Sequence, residues 1–358
     1  MPADRVRARL SALAAAGLDL DTFANAALAQ LRQAVPFDSA CLASCDPQTE
    51  LITGSVKVDI TDARDAEFAR LEYEADDVNK MTDIARRPSA VGVLSLDTGG
   101  DPMRSIRYRD FLLPHFSHGH EMRAAFRTGG ATWGFVSLYR QQGPGGFSPA
   151  EADFVSGITP LVALGLRAAV VVAAVRAPDA VSGPAVIVVN AHNQVIQATS
   201  AAQARLVELG GDLWGELPIT LLSIVGAARA VAAGHTAMMP RSRLRTRSGE
   251  WLVIHASPLA TREGNHGEVV LTIEEARPPE VVPLVIAAFG LTGRERDVVR
   301  LVLQGSGTQE ISKRLHLSPY TVQDHLKTIF DKAGVRSRRE LVARVFFDHY
   351  APALAEPC

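Results

Sequence analysis

The chain has 358 residues, of which 47% are hydrophobic and 21% charged, and its formal net charge is −2. This length predicts two or three domains, and the composition excludes an intrinsically disordered chain. Its three cysteines, Cys41, Cys45 and Cys358, are too few for a disulfide framework and indicate a cytoplasmic protein. The sequence contains neither a P-loop nor an HExxH motif, so nucleotide hydrolysis and that class of zinc chemistry lack their usual signatures.

The charge is distributed unevenly along the chain. Residues 283–350 contain 11 Lys and Arg against 7 Asp and Glu, whereas the other residues contain 26 against 32. A basic C-terminal segment on an acidic body is typical of a protein that binds nucleic acid. The N-terminus lacks the apolar core of a signal peptide. Arg167 interrupts the most apolar stretch, 159–175, so we expect a buried helix there and no membrane partner.

Residues 1–177 predict a mixed α/β domain. Apolar residues recur at helical spacing in the first 35 residues, and alternating residues mark two strands around the turn DPQT. Ser148 is an N-cap candidate, with Pro149 at the first helical position and Glu151 completing a capping box. The predicted elements are a helix in 1–35, strands in 38–46 and 50–60, a polar helical region in 62–78, a hairpin of 121–128 and 132–141, and one helix over 147–175.

Residues 183–277 predict a second, smaller α/β domain, which follows a linker at 176–184. Its segment RTRSGEWLVIHASPL weakly echoes RTGGATWGFVSLYR of the first domain, since each places a Gly turn before a Trp that opens an apolar strand. The echo predicts two related folds, each built around an antiparallel sheet. The predicted elements are a strand–turn–strand unit from 185, a helix over 200–209, three closing strands within 241–260 and 267–276, and a second linker at 276–283.

Residues 284–350 predict an all-α domain of four helices, because start and stop signals recur along this segment. Each helix start pairs a hydroxyl side chain with an apolar run, and two of the starts are capping boxes. The predicted boundaries are the capping box Thr292–Glu295, the cap Thr308 of a short second helix, the start Ser318–Pro319 and stop Gly334 of the third, and the capping box Ser337–Glu340 of the fourth.

The third of these helices separates into two faces at about 100° per residue. A helix of this kind fits the DNA major groove, where Gln can pair with adenine, Lys can donate to guanine and Asp can accept from cytosine. Alternatively, Asp324 is a solvated residue in an i,i+3 pair with Lys327. The inner stripe is Val322, Leu326, Ile329 and Ala333, and the outer one is Tyr320, Gln323, Asp324, Lys327 and Asp331.

The affinity of such a helix for DNA comes mainly from phosphates, which cations and helix N-termini around the reading face can bind. The surrounding ring of cations comprises Lys313, Arg314, Lys332, Arg336, Arg338 and Arg339. We expect phosphate contacts from Thr308, Lys313, Ser318, Tyr320, Lys332, Arg336 and Arg338.

The motifs LTGRERDVV, GTQEI, LSPYTVQDHLKTIFDK and GVRSR occur in this order and without a gap from residue 291 to 338. They resemble the LuxR-type helix-turn-helix domain over about 60 residues. The resemblance implies that the second and third helices form the helix-turn-helix and that the fourth serves in dimerisation. It also implies base contacts from Gln323, Asp324 and Lys327, although many family members carry a basic residue at the position of Gln323. The resemblance implies a further phosphate contact from Thr321.

The N-terminal blocks resemble sensor domains by pattern more than by signature residues. Residues 20–175 resemble a GAF domain, through the order helix, two strands, helical middle, WGFVSLY hairpin and FSPAE helix. Residues 183–275 resemble a PAS domain. The expected fold is therefore multidomain, with an α/β GAF-like domain (1–177), a smaller α/β PAS-like domain (183–277) and an all-α LuxR-type domain (284–350).

Three features of the first block invite a functional interpretation. His115, His118 and His120 could be metal or haem ligands, but a loop with ordinary polar histidines is the favoured interpretation. Cys41 and Cys45 are about 13 Å apart along an extended strand, too far for a disulfide, so we interpret them as small buried residues. Aromatic side chains could line a ligand pocket or belong to the core: Tyr108, Phe111 and Trp133.

The combined prediction is a cytoplasmic bacterial transcription regulator, not an enzyme, that binds double-stranded DNA as a homodimer. Dimerisation would use the helix at 148–175, the fourth C-terminal helix, or both. No cofactor, metal or catalytic residue is predicted, ligand-binding residues are unassigned, and RNA polymerase and a small-molecule effector are open partners. The alternative is an enzyme or signalling adaptor with a small-molecule site in 20–275 and a C-terminal bundle that docks on protein.

Overall fold

A computed structural model describes most of the chain, and it divides the described residues into two compact units. The first unit reaches residue 274, and the second comprises 275–350 with the short segment 249–251. The predicted linker at 176–184 lies outside the described residues, as does Cys358. The described residues are 2–60, 64–143, 145–172, 185–212, 215–237, 240–246, 249–260 and 267–350.

The first sheet has five strands in the order β2-β1-β5-β4-β3. All four neighbouring pairs are antiparallel. The β4–β5 turn uses Gly129 (φ 61°) and Gly130 (φ 76°), a left-handed pair that suits a tight hairpin. Both predicted hairpins are confirmed. The strands are β1 (Ser39–Cys45), β2 (Ile52–Val58), β3 (Val91–Val93), β4 (His118–Thr128) and β5 (Ala131–Gln141).

Three helices pack together with this sheet: α1 (Pro2–Ala15), α2 (Leu20–Ala34) and α7 (Pro149–Ala169). The single helix predicted over the first 35 residues is two helices, because the chain turns at Gly17 (φ 62°) and Asp19 caps α2. α7 begins with the predicted Ser148–Glu151 capping box but ends at Ala169, short of the predicted 175.

By length and composition, α7 is the described helix that could cross a membrane. Its packing is that of a core helix. Val155, Ile158 and Leu166 are buried, and Gly165 lies so close to Phe23 that an added Cβ would be 2.0 Å from the ring.

Short helical segments between β2 and β4 cover part of the sheet, and they include π-helical turns at Arg70–Glu74 and Tyr108–Leu112. A buried ionic cluster holds them. Arg107 contacts Asp77 at 3.3 Å and Glu121 at 2.7 Å, and Arg123 contacts Glu72 at 2.7 Å and Glu121 at 3.0 Å. The regular pieces are α3 (Asp65–Ala69), α4 (Met81–Arg86), α5 (Leu94–Asp97), a 3-10 turn (Pro102–Arg104) and α6 (Leu113–Phe116).

The second sheet also has five strands, in the order β7-β6-β10-β9-β8. The predicted strands and the helix at 200–209 are confirmed. A further helix, α9 (Ile219–Ala232), was not predicted, since it is apolar around most of its circumference and shows no amphipathic stripe. The other elements are β6 (Ala185–Val189), β7 (Val195–Ala198), α8 (Ser200–Glu208), β8 (Arg241–Arg245), β9 (Trp251–Pro258) and β10 (Val269–Glu275).

Polar contacts among the described residues join the two sheet regions within the first unit. The buried Arg243 Nη2 lies 2.6 Å from Asp46 Oδ1, and Arg229 Nη1 lies 3.1 Å from Glu74 Oε1. Ser223 Oγ donates to the Ile52 carbonyl oxygen at 3.4 Å. Apolar side chains of α9 share one core cluster with residues of both sheets. The two sheet regions are therefore packed against each other through α9.

The second unit is entirely helical in its described residues after 277. Residues 278–288, predicted to begin in a linker, form a helix instead, because Pro278 and Pro279 occupy its first turn, where proline is tolerated. The four predicted helices follow and are confirmed. The helices are α10 (Pro278–Ala288), α11 (Gly293–Leu303), α12 (Thr308–Leu315), α13 (Pro319–Ala333) and α14 (Arg338–Tyr350).

Candidate functional site

Helix α13 has the two faces expected of a helix that packs on one side and reads a ligand on the other. Ser318 caps it by accepting from the Thr321 amide at 3.0 Å, and Gly334 (φ 66°) ends it. The predicted inner stripe is buried: Val322, Leu326, Ile329 and Ala333. It faces α11 and α12, which contact α13 within the second unit. The stripe thereby fixes the rotation of the helix about its own axis.

The outer face of α13 is exposed along its length. Gln323, Asp324 and Lys327 are all exposed, and Tyr320 retains 76% of its surface. Among the described residues, no ion pair joins Asp324 to Lys327, so both charges remain available to a partner. Hydrogen-bond donors and an acceptor therefore lie side by side on one surface, which is the pattern that base edges in a major groove require. Their role as base contacts stays a prediction.

Thr308 connects α13 to its neighbours. Its Oγ1 accepts from Gln323 Nε2 at 3.3 Å and from Arg338 Nη2 at 2.9 Å, and Arg338 Nη1 donates to the Ser306 carbonyl oxygen at 2.8 Å. Thr308 is the first residue of α12 rather than its predicted cap, since Gly307 occupies the cap position. Burial lowers the pKa of Arg338. Arg338 thus braces the start of α12 from within the unit.

Lys332 is engaged by an internal partner. Its Nζ lies 2.7 Å from Glu295 Oε2, on the first turn of α11, and Glu295 is only 7% exposed. Burial raises the pKa of Glu295, but hydrogen bonds from Lys332 and Thr292 outweigh it and hold the pKa below its ordinary value. This ion pair ties α13 to α11, so a phosphate that contacts Lys332 would share it with Glu295.

The remaining predicted phosphate contacts are on the surface or at helix starts. Lys313 and Arg336 are exposed, and Ser318 and Thr321 form the first turn of α13 with their hydroxyls 2.8 Å apart. Backbone amides of such a turn favour anions. These side chains are placed at the start of α13 or beside it, and their role as phosphate contacts stays a prediction.

The histidines of HFSHGH are part of regular structure rather than a loop. His115 lies in α6, and His118 and His120 lie in β4. His118 is buried, with Nε2 2.8 Å from Ser39 Oγ, whereas His120 Nε2 lies 2.9 Å from the Gly143 carbonyl oxygen. In the part of the chain that the structure describes, no group of three His, Cys, Asp or Glu side chains could hold a metal ion.

The cysteines and aromatic residues of the first block have separate environments. Cys45 is buried as predicted, with its Sγ 3.5 Å from the Thr132 carbonyl oxygen, whereas Cys41 on β1 is only half-buried because it borders a cavity. Tyr108, Phe111 and Trp133 are buried. Of these three, Phe111 lines the cavity. Several of the other lining residues had no functional signal in the sequence, because they come from elements far apart in the chain.

Comparison with known families identifies the helical domain. Residues 290–345 match the family model described as bacterial regulatory proteins, luxR family. The spore germination protein GerE of Bacillus subtilis is 38% identical over 55 residues, which cover 15% of this chain and 74% of GerE. This chain therefore belongs to the LuxR family of bacterial regulatory proteins through its C-terminal helix-turn-helix domain.

Other relatives match over a small part of their own length. The transcriptional regulatory protein UhpA of Escherichia coli is 43% identical over 56 residues, 16% of this chain and 29% of UhpA. Mycobacterial relatives reach 54% identity over 52 residues, which cover 14% of this chain and 6% of their length. These two sets of matches concern the C-terminal helix-turn-helix domain.

Solved structures with a detectable similarity include the Vibrio cholerae VqmA dimer without its target DNA. It is 16% identical, covers 45% of this chain and 81% of that chain, and has a TM-score of 0.22. The VqmA–ligand–DNA complex is 18% identical, covers 49% and 88%, and has a TM-score of 0.23. TM-scores this low support no conclusion about the fold or ligands of this chain.

Proposed function

We propose that this chain is a sequence-specific, DNA-binding transcriptional regulator that acts in the cytoplasm as a homodimer and responds to a small molecule through its first unit. The observation that carries the proposal is the exposed face of α13, where Gln323, Asp324 and Lys327 lie together on a helix whose opposite stripe is buried. The LuxR-family match supports the same function, since its named relatives include transcriptional regulators.

The charges of the side chains determine which of them contribute affinity for DNA and which contribute base specificity. Cations around α13 supply affinity by displacing counterions from phosphates, and Asp324 lowers that affinity while it discriminates between bases. Each protomer presents one such helix, so a two-fold symmetric dimer reads two half-sites about one helical turn of DNA apart. Dimerisation through α7, α14 or both, and contact with RNA polymerase, belong to the same proposal.

Regulation is proposed as a two-state arrangement of the reading helices that a ligand in the first unit biases. The structural support is an internal cavity beside the first sheet. A GAF-like assignment of residues 1–177 and a PAS-like assignment of 183–277 fit the two five-stranded sheets. Half-site spacing that is the same with and without bound effector would contradict this arrangement.

The salt dependence of binding to a 30-base-pair duplex tests the DNA-binding step. We expect the affinity of the full chain to fall by about 10³–10⁵-fold between 50 and 200 mM salt if the dimer neutralises about 6–10 phosphates. Lys313→Ala should reduce the slope by about 1 for each lost contact, whereas Arg300→Ala, outside the predicted contacts, should leave it unchanged. Binding that is absent or independent of salt would instead favour a bundle that docks on protein.

A further inference from the structure

The first unit contains a cavity on the face of the first sheet that carries Cys41 and Ser137. Its empty space is about 560 Å³ when the open space at its mouth is counted. The cavity volume without that open space is about 50 Å³, smaller than the roughly 150 Å³ of an engineered apolar cavity that binds benzene, so a ring can be seated here only with part of the ligand in the open mouth. Its walls come from β1, β2, β4 and β5, from the helical segments of 65–116, and from Ile219 of the second sheet region.

Three flat side chains form an ordered stack in the wall. The ring of His118 lies between Phe116, at 5.4 Å and 13° between planes, and Tyr139, at 4.4 Å and 3°. Phe111 packs on Phe116 edge to face, with the ring centroids 5.3 Å apart. All four of these residues line the cavity. A wall built of aligned aromatic rings favours a planar aromatic occupant, which can stack or make edge contacts.

The cavity offers no uncompensated charge. Lys57 Nζ lies 2.6 and 2.7 Å from the two carboxylate oxygens of Asp65, so the ion pair is internally neutralised. Burial lowers the pKa of His118 to about 4, against the opposing influence of Glu121 and Asp38, so its imidazole is neutral near pH 7. A charged ligand would lose its hydration here without gaining a counterion. The occupant is therefore uncharged.

Two buried polar atoms in the wall, His118 Nδ1 and Ser137 Oγ, have no hydrogen-bond partner among the described residues. His118 uses Nε2 for Ser39 Oγ, and Ser39 is not part of the cavity wall, whereas His118 Nδ1 makes no hydrogen bond. If Ser39 donates, Nδ1 carries the proton and must donate; if Ser39 accepts, Nδ1 must accept. A ligand hydroxyl satisfies either tautomer, because it can donate or accept.

The cavity does not provide a nucleophile that would attach the ligand covalently. Cys41 is the thiol in its wall, and burial raises the pKa of this thiol to about 11, against the opposing influence of Lys57. The thiolate is the reactive form of cysteine, so near pH 7 this side chain is inert. Binding is consequently reversible and depends on ligand concentration.

We infer that the cavity is the binding site of an uncharged, planar aromatic molecule that carries a hydroxyl group. Its regulatory consequence rests on the proposed function, because occupancy matters for transcription only if the second unit binds DNA. Ile219 is the first residue of α9, so an occupant touches the first sheet and the helix that packs the two sheet regions together. Binding is expected to tighten this packing.

The test is direct binding of defined probes to the full chain without DNA, by calorimetry at pH 7. The probes are 2-naphthol and 4-ethylphenol, each compared with the parent hydrocarbon (naphthalene, ethylbenzene) and the carboxylate (2-naphthoate, 4-ethylbenzoate). At least one phenol should bind saturably at one site per chain, about 10-fold or more tightly than its hydrocarbon, and the carboxylates should not bind. Because no DNA is present, this experiment tests ligand binding by itself, and its outcome does not depend on the DNA binding that the salt experiment tests.

Two variants and a control assign the site. Ser55→Phe places a ring in the cavity from half-buried β2 and should abolish binding, whereas His118→Phe keeps the stack and should remove the preference for phenol over hydrocarbon. His120→Phe, on the same strand but outside the wall, should bind like the unmodified chain. Circular dichroism verifies that each variant folds. If His118→Phe does not fold, loss of ligand binding in Ser55→Phe is the result that assigns the site.

Amide hydrogen exchange provides a second readout. Residues 41–43 and 219–225 should exchange more slowly when 2-naphthol or 4-ethylphenol is bound, and Ser55→Phe should lose this protection. The inference is overturned if neither phenol binds up to its solubility limit. It is equally overturned if a carboxylate binds as tightly as its phenol, or if Ser55→Phe leaves both binding and protection intact.

Discussion

The two sheets of the first unit have the same strand order, second-first-fifth-fourth-third, yet their buried faces differ. On the first sheet, β4 and β5 direct Glu121, Arg123 and Ser137 to the same face as the cavity. On the second sheet, alternate positions of the equivalent strands are apolar, as at Ile254 of β9 and Leu271 of β10. One topology therefore supports both a polar face with a cavity and a filled apolar core.

This comparison shows what determines whether a sheet of this type can hold a ligand. Apolar side chains of α9 fill the second face, whereas short helical segments cover the first face and are held by ions rather than by a continuous apolar stripe. Short segments pack less completely than a long helix, and the cavity lies among them. We therefore expect the first sheet to depend more on its polar network than the second does.

The largest effect is expected at the centre of the ionic cluster. Glu121→Gln removes the carboxylate that contacts both Arg107 and Arg123 and leaves buried cations undercompensated. We expect a loss of about 3–5 kcal/mol in the free energy of unfolding in urea. Glu274→Gln, at an exposed position of the second sheet, is the control and should change stability by less than about 0.5 kcal/mol. A similarly small loss of unfolding free energy in both variants would show that the ionic cluster is not essential for stability.

A smaller effect is expected from the protonation of His118. Its pKa in the folded chain is about 4, below the ordinary 6.5, so the unfolded chain binds the proton more readily. Stability is then full above about pH 6.5 and falls by about 2 kcal/mol as the pH drops towards 4. Glu121, whose pKa is about 2, loses its contribution only below about pH 4.5. Urea unfolding of the unmodified chain between pH 7 and 4.5 measures this, and an identical pH slope in His118→Phe would contradict it.

The smallest effect concerns the packing between the two sheet regions. At Gly226 of α9, an added Cβ would lie 2.7 Å from Tyr73 Cβ, which cannot move without its backbone. Overpacking costs about 1–3 kcal/mol, and the better helix propensity of Ala offsets about 1, so Gly226→Ala should destabilise by about 1 kcal/mol net. Ala232→Ser, exposed at the end of the same helix, is the control for thermal unfolding. An equal melting temperature for the two variants would mean that α9 is loosely packed.

The sequence predicted the second unit better than the first for a physical reason. Caps such as Ser318 and Gly334 are local signals, and the stripe of α13 needs only helical periodicity, so both were readable residue by residue. The prediction of Thr308 as a cap is wrong by one residue, because Gly307 adopts the extended conformation of the cap position. The proline pair at 278–279 predicts a linker, but proline is also favoured in the first turn of a helix. The sequence alone does not distinguish these two roles.

Sequence patterns do not predict those parts of the first unit whose structure depends on contacts between residues far apart in the chain. The helical segments of 65–116 are too short to show periodicity, and α9 is buried on most sides. The echo between the two tryptophan strands does not place them at equivalent positions in the two sheets. It aligns β5 with β9, whereas the shared strand order makes β4 the equivalent of β9. The cavity, assembled from separate elements and both sheet regions, left no local pattern.

We propose above all that the exposed face of α13 reads DNA sequence. The most direct measurement is selection of bound duplexes from a random-sequence library, with Lys327→Ala and Lys313→Ala in parallel. We expect the unmodified chain to enrich a two-fold symmetric motif, Lys327→Ala to lose or alter this motif, and Lys313→Ala to weaken binding without changing the motif. Two results would contradict DNA reading by α13. One is that the unmodified chain enriches no common motif, and the other is that Lys327→Ala enriches the same motif with unchanged specificity.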